Sequence, residues 1–231
     1  MTPTKSEIDG IEVITVTRKN AIKTIVLMHG FGASYEDLSP LADFMDRGKK
    51  YNWIFPNGIV RVPMGPYVEG RAWFPIRMAE IEAAAARGSF VDFTEILPDG
   101  MKEAERRISS LFDSMHLDRS QTIIGGFSQG AMMSMQVALS SQVDFAGVIL
   151  FSGTFINAKE WRNLLSRKTN LKIFQSHGIS DPILSFSIAE KLSKELKENK
   201  MKTEFHAFSG HHEIPMDVIS KSIKFCEGVF G

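Results

Sequence analysis

Gly125-Gly126-Phe127-Ser128-Gln129-Gly130-Ala131 is the stretch on which the reading of this chain turns. An apolar, β-branched segment, Thr122-Ile123-Ile124, leads into it. Met132-Met133-Ser134-Met135-Gln136-Val137-Ala138-Leu139, free of Gly and Pro, leads out. The first reads as a strand and the second as a buried helix. A Gly-x-Ser-x-Gly turn between a strand and a helix is a nucleophile elbow. Small residues are needed at Gly126 and Gly130 because strand and helix pass close together. The apex serine sits in strained backbone geometry that lifts its hydroxyl into solvent. The helix behind it offers free N–H groups and the positive end of its dipole, a suitable place for negative charge to develop on a substrate oxygen. A glycine-rich turn with a solvent-facing serine has the same local sequence, so the rest of the chain must decide.

The chain has 231 residues, 43% of them apolar, with 27 basic and 27 acidic side chains. That suits one α/β domain over residues 1–231 with a sizeable core. The neutral balance argues against nucleic acid as a partner and against electrostatic attachment to membranes. Cys226 is the only cysteine, so no intramolecular disulfide forms, and its apolar setting reads as a buried thiol. Met1 to Gly10 is polar and lacks the apolar core of a signal peptide. No apolar run approaches a membrane span, so no stable membrane insertion is expected. A cytoplasmic protein is the natural expectation, monomer or homodimer.

Read in order, Glu12 to Thr17 alternates as a half-buried edge strand would, and Thr24 to Met28 is a continuous apolar run, as in a central parallel strand. His29-Gly30-Phe31-Gly32 follows. Glu36 to Met45 reads as one short helix and Trp53 to Phe55 as a strand stopped by Pro56-Asn57-Gly58. Ile59 to Pro75, with its prolines and glycines, reads as a long ordered loop, a type that usually carries function. Helices are predicted over Arg77 to Arg87 and after Pro98, the latter with Met101, Ala104, Ile108, Leu111, Phe112 and Met115 on one face. Beyond the elbow, strands are predicted at Ala146 to Phe151, Leu171 to Gln175 and Thr203 to Phe208. Helices are predicted at Glu160 to Leu165, Ile188 to Glu198 and from Pro215 to Val229. This alternation predicts a mostly parallel sheet covered on both faces.

Ligands of such a sheet sit beyond the carboxyl ends of its strands. Four predicted loops at that edge carry His29-Gly30-Phe31-Gly32, Ser128, Asp181 and His211-His212. A serine hydroxyl needs a base to take its proton; histidine has the right pKa, and a carboxylate holds its tautomer. Ser, Asp and His in that order, each after its own strand, is the order of the α/β-hydrolase fold. Two N–H donors for the oxyanion are expected from Gln129, the residue past the nucleophile, and from Phe31, between two glycines. Asp181 before Pro182 is also a common turn former. His177 is read as shaping that turn, and His29 as bonding within its own glycine loop. No cluster has metal-ligand spacing, so neither a metal nor a cofactor is expected.

These residues resemble the carboxylesterase/phospholipase family that includes the acyl-protein thioesterases and small bacterial carboxylesterases. The resemblance covers nearly the whole chain. Its pieces are Leu27 to Gly32, Pro56-Asn57, Arg71-Ala72-Trp73-Phe74, Gly126 to Ala131, Ser152-Gly153, His177-Gly178 through Asp181-Pro182, and Gly210 to Ile214. It implies an α/β-hydrolase fold with a minimal cap, free of metal, that cleaves a small-molecule ester or thioester substrate. Ala33, where acyl-protein thioesterases often carry Asp, leans toward the bacterial branch. In the family the catalytic histidine is commonly preceded by Gly and followed by Glu and an aliphatic residue, which selects His212 before Glu213-Ile214 over His211. Pro215, suited to a first helical turn, places His212 just ahead of the closing helix.

The expectation is a carboxylesterase in which Ser128 attacks, His212 is the base, Asp181 orients it, and the Phe31 and Gln129 amides bind the oxyanion. Trp73, Phe74 and Met64 are expected to line an apolar acyl pocket. Met78 to Pro98 is read as either an acyl-binding wall or lid, or a solvated insertion. The alternatives are a lysophospholipase or protein depalmitoylase and, from another class, a non-catalytic binding module on the same fold.

Overall fold

The computed structural model describes residues 3–168 and 170–231; Met1 and Thr2 of the polar N-terminal stretch lie outside the described residues. Strands β1 (Thr4–Ile8) and β2 (Ile11–Val16) form an antiparallel hairpin. The segment Glu12 to Thr17 was expected at an edge, but β2 pairs with a strand on each side, and Val13, Ile14 and Val16 are buried. The edge is β1. Its Thr-Lys-Ser-Glu sequence is exposed on both faces, so it has no apolar alternation to reveal it.

Strand β3 (Thr24–Met28) is buried along its whole length. The expected helix over Glu36 to Met45 is two short ones, α1 (Tyr35–Leu38) and α2 (Leu41–Met45). They part at Ser39-Pro40, where proline offers no N–H to continue the ladder. After β4 (Asn52–Pro56), the expected loop from Ile59 to Pro75 holds a hairpin, β5 (Val60–Pro63) and β6 (Glu69–Ala72). Then come α3 (Met78–Ala86), α4 (Met101–Ser114), β7 (Thr122–Phe127) and α5 (Gln129–Ser140). The chain continues through β8 (Gly147–Phe151), α6 (Ala158–Leu165), β9 (Lys172–Gly178), α7 (Phe186–Glu198), β10 (Lys202–Phe208) and α8 (Met216–Phe230).

Eight of these strands form one sheet in the order β1-β2-β4-β3-β7-β8-β9-β10, parallel from β4 to β10 and antiparallel at β1 and β2. Alternate residues of each inner strand serve opposite layers. Val26, Met28 and Ile124 pack with α4, α5, α6 and α7; Ile25, Leu27 and Ile123 pack with α1, α2 and α8. Burial on both faces is why the strands read as continuous apolar runs. This is the α/β-hydrolase fold. No helix among the described residues is long and apolar enough to cross a membrane. Cys226 is buried on α8, and that burial pushes its thiol up to about 12.

Candidate active site

The elbow follows from two close approaches. A Cβ on Gly126 would lie 2.4 Å from the Met28 carbonyl oxygen, and one on Gly130 would lie 2.0 Å from the same atom. Glycine at both positions lets α5 start directly against β3 and β7. The turn places Ser128 at φ 55°, ψ −117°, outside the regions that L-residues prefer. Its N–H donates to the Phe151 carbonyl at 2.9 Å, which fixes the strained apex to β8.

The loops after β7, β9 and β10 meet there. Ser128 Oγ donates to His212 Nε2 at 2.8 Å, and His212 Nδ1–H donates to Asp181 Oδ2 at 2.6 Å. The other carboxylate oxygen of Asp181 accepts the Ile183 and Leu184 N–H groups at 2.8 and 3.0 Å. Burial alone would raise the Asp181 carboxyl. The bonds and charge from His212 and these two amides outweigh burial and hold it below the usual carboxylate range. His177, fully buried, donates from Nε2 to the Leu184 carbonyl at 3.0 Å and lies 3.3 Å from Asp181 Oδ2. Burial first of all keeps it below the ordinary histidine value, so it braces the Asp181 turn as a neutral ring. His211 is exposed and has a different partner, with Nδ1–H on the Ser180 carbonyl at 2.9 Å.

Phe31 lies in the loop after β3 and lines the same cavity as Ser128, and Gln129 opens α5 directly after Ser128. Among the described residues neither backbone N–H donates a hydrogen bond. The loop that carries Phe31 is strapped to β6: Gly32 N–H donates to the Arg71 carbonyl and Arg71 N–H to the Ala33 carbonyl, both at 2.8 Å. His29 holds the same loop from below. Its Nδ1–H donates to the Gly30 carbonyl at 2.7 Å, and its Nε2 accepts the Gly58 N–H at 2.9 Å.

Gln129 has a second part that its sequence position did not disclose. Its fully buried side chain accepts the Trp73 N–H at 2.9 Å and donates to the Phe74 carbonyl at 2.7 Å. A glutamine at the first position of a largely apolar helix is the signal that could have pointed to it, because a buried amide must find partners. This clamp also corrects the expected acyl pocket. Trp73 does not line the cavity: it is fully buried, donates from Nε1 to the His29 carbonyl at 2.8 Å, and supports the loop that carries Phe31. Met64 sits on the β5–β6 hairpin, 50% exposed and against Gly32, also off the cavity wall. Phe74 is on the wall.

That cavity, about 520 Å³, opens beside Ser128 and His212. Its apolar wall includes Phe74, Ile81, Phe93, Met132, Ile156 and Leu184. Ile81 and Phe93 come from the segment Met78 to Pro98, which therefore forms a wall and is not a solvated insertion. Among the described residues no group of three or more His, Cys, Asp or Glu could hold a metal ion.

His29 gives this site a pH signature in stability. Burial, the largest effect, pushes its imidazole down to about 4 from the ordinary value of 6.5. The unfolded chain therefore takes up a proton that the folded chain refuses as pH falls from 6.5 toward 4. Stability is complete above that window and declines through it by about 3 kcal/mol. The depressed Asp181 carboxyl has the same sign but acts lower, below the ordinary carboxylate value. Urea unfolding at about pH 7 and about pH 4.5 should show the loss, and His29→Gln should reduce the difference. An undiminished pH dependence in that variant would refute the assignment.

A family model described as phospholipase/carboxylesterase matches residues 9–229. An acyl-protein thioesterase 1 of Debaryomyces hansenii is 28% identical, over 94% of this chain and 95% of its own. Among solved structures, a carboxylesterase from Mesorhizobium loti superposes with a TM-score of 0.74 at 13% identity, over 98% of this chain and 99% of its own. The Bacillus cereus carboxylesterase does so with a TM-score of 0.71 at 18% identity, over 95% of both chains. At these identities the structural likeness speaks to the fold, while the family match spans nearly the whole sequence. The chain belongs to the phospholipase/carboxylesterase family.

Proposed function

We propose that this chain is a single-domain, cytoplasmic serine carboxylesterase that works through an acyl-enzyme. The observation that carries the reading is the unbroken hydrogen-bonded line from Ser128 through His212 to Asp181 at the mouth of an apolar cavity. Ser128 Oγ attacks the acyl carbonyl carbon as its proton passes to His212 Nε2. Asp181 supports the resulting imidazolium through Nδ1. The Phe31 and Gln129 amides bind the tetrahedral oxyanion. Its collapse expels the alcohol, which takes the proton from His212. A water molecule then repeats the sequence on the acyl-enzyme and frees the acid.

Acyl-protein thioesterase relatives favour a second reading, in which the leaving group is a thiol. One experiment separates the two: kcat/KM for p-nitrophenyl esters of rising chain length, beside acyl-thioester and lysophospholipid substrates. Short and medium esters should lead, without a jump in rate when substrate forms micelles. A dominant thioester rate would select the second reading, and no turnover of any substrate would favour the binding module.

The cavity predicts where chain length is set. Ile81, buried on α3, faces the cavity from the Met78 to Pro98 wall. Ile81→Trp should leave acetate hydrolysis near normal and lower kcat/KM for the longest accepted chains by about tenfold or more, since even one methylene in an apolar pocket is worth about tenfold. A profile identical to wild type would place the acyl chain elsewhere.

A further inference from the structure

The dipeptide Phe151-Ser152, at the carboxyl end of β8, touches all three loops of the site. The Phe151 carbonyl accepts the Ser128 N–H at 2.9 Å. Ser152 N–H donates to the Ser176 carbonyl at 2.9 Å, on the strand that leads to Asp181. Ser152 Oγ donates to the Glu213 carbonyl at 3.1 Å, one residue past His212.

Ser152 is fully buried, and its φ is 46°. That is the left-handed region, which glycine adopts freely and an L side chain adopts at a cost. The chain keeps a serine there although the backbone favours glycine. Strain of this kind persists only where the surroundings over-determine it, and it gathers at functional sites. Among the described residues the side chain has one hydrogen-bond partner, and that partner belongs to the His212 loop. Upstream of His212 the loop is tied by His211 Nδ1–H on the Ser180 carbonyl and by Ser180 N–H on the Gly210 carbonyl. Downstream, between His212 and the start of α8, the loop is tied among the described residues by the Ser152 hydroxyl.

We propose that Ser152 is a positioning residue for the reaction: its hydroxyl holds the Glu213 carbonyl so that His212 keeps Nε2 on Ser128 and Nδ1 on Asp181. The proposal rests on the reading of Ser128, His212 and Asp181 given above. Without the tie, the imidazole samples positions off the line to Ser128. Substrate binding is untouched, because Ser152 does not reach the cavity wall.

The test compares Ser152→Ala and Ser152→Gly with the wild type and Ser128→Ala on p-nitrophenyl butyrate. Both Ser152 variants should lose about ten- to a hundredfold in kcat, the scale of a small misplacement, with KM nearly unchanged. Their thermal midpoints should diverge. The glycine variant, freed of the strained φ, should melt above the alanine variant although both have lost the hydroxyl. Wild-type kcat in either variant, or a loss carried by KM with kcat unchanged, with Ser128→Ala inactive, would overturn the proposal. So would losses that disappear when rates are normalised to fluorophosphonate-titrated sites, which would mean less folded protein and not a misplaced base. Activity retained by Ser128→Ala would instead overturn the reading on which the proposal rests.

Discussion

Replacing Ser128 by alanine is expected to lower kcat by about four to six orders of magnitude, a loss of about 5–8 kcal/mol in transition-state stabilisation. The residue left behind supports no covalent path. What remains is the binding cavity and the two amides, which together retain some catalysis over water. Folding should be almost unchanged. The hydroxyl projects into the cleft, its bond to His212 is partly solvated, and such a bond contributes only about 1 kcal/mol net. The strained backbone at φ 55° is shared by the serine and the alanine, so the substitution neither adds nor relieves strain. A fluorophosphonate should label the wild type once, at Ser128, and the variant not at all. Labelling at another serine, or a variant that keeps most of its activity, would remove Ser128 from the mechanism.

The parts of the fold that could be read from the sequence are those whose environment is written locally. Ile25 to Met28 is apolar at every position because both faces of β3 are covered, and the elbow glycines are demanded by contacts within a few residues and one neighbouring strand. Other parts depend on distant partners. Strand β1 is a strand only because β2 lies beside it; its own residues are polar and exposed. The β5–β6 hairpin looks like a loop because its strands are only four residues each and Pro63, Gly65 and Pro66 stand at their junction, yet β6 straps the loop that carries Phe31.

The site divides the same way. Ser128, Asp181 and His212 could be picked out by residue type and chain order, since each follows a strand of a sheet whose topology was already implied. The lining of the cavity could not. Trp73 and Phe74 are neighbours in sequence, and aromatic character alone cannot say which faces the cavity. The choice is made by the Gln129 side chain, which holds the backbone of both residues and leaves Trp73 turned onto His29. That contact spans more than fifty residues of sequence and has no local signature.

The sharpest residue-level expectation concerns the pair His211 and His212. Adjacent side chains in an extended loop point to opposite sides, so only one can face Ser128. The geometry gives His212 both bonds the chemistry needs, 2.8 Å to Ser128 Oγ and 2.6 Å to Asp181 Oδ2. His211 has a different partner, the Ser180 carbonyl, beside Asp181 but outside the proton path. His212→Ala should therefore remove the base and the support for the imidazolium together, and lower kcat/KM by about four to six orders of magnitude, much as loss of the nucleophile does, because such groups act as a unit. His211→Ala should remove one partly solvated hydrogen bond, about 1 kcal/mol, and lower kcat/KM by about tenfold or less. The double variant Ser128→Ala/His212→Ala should be scarcely worse than either single change, whereas His211→Ala should add its small cost independently. Measuring all four variants on one activated ester decides the matter. An inactive His211→Ala beside a nearly normal His212→Ala would move the base by one residue, and equal losses in both would mean that the loop, not one imidazole, is what the reaction requires.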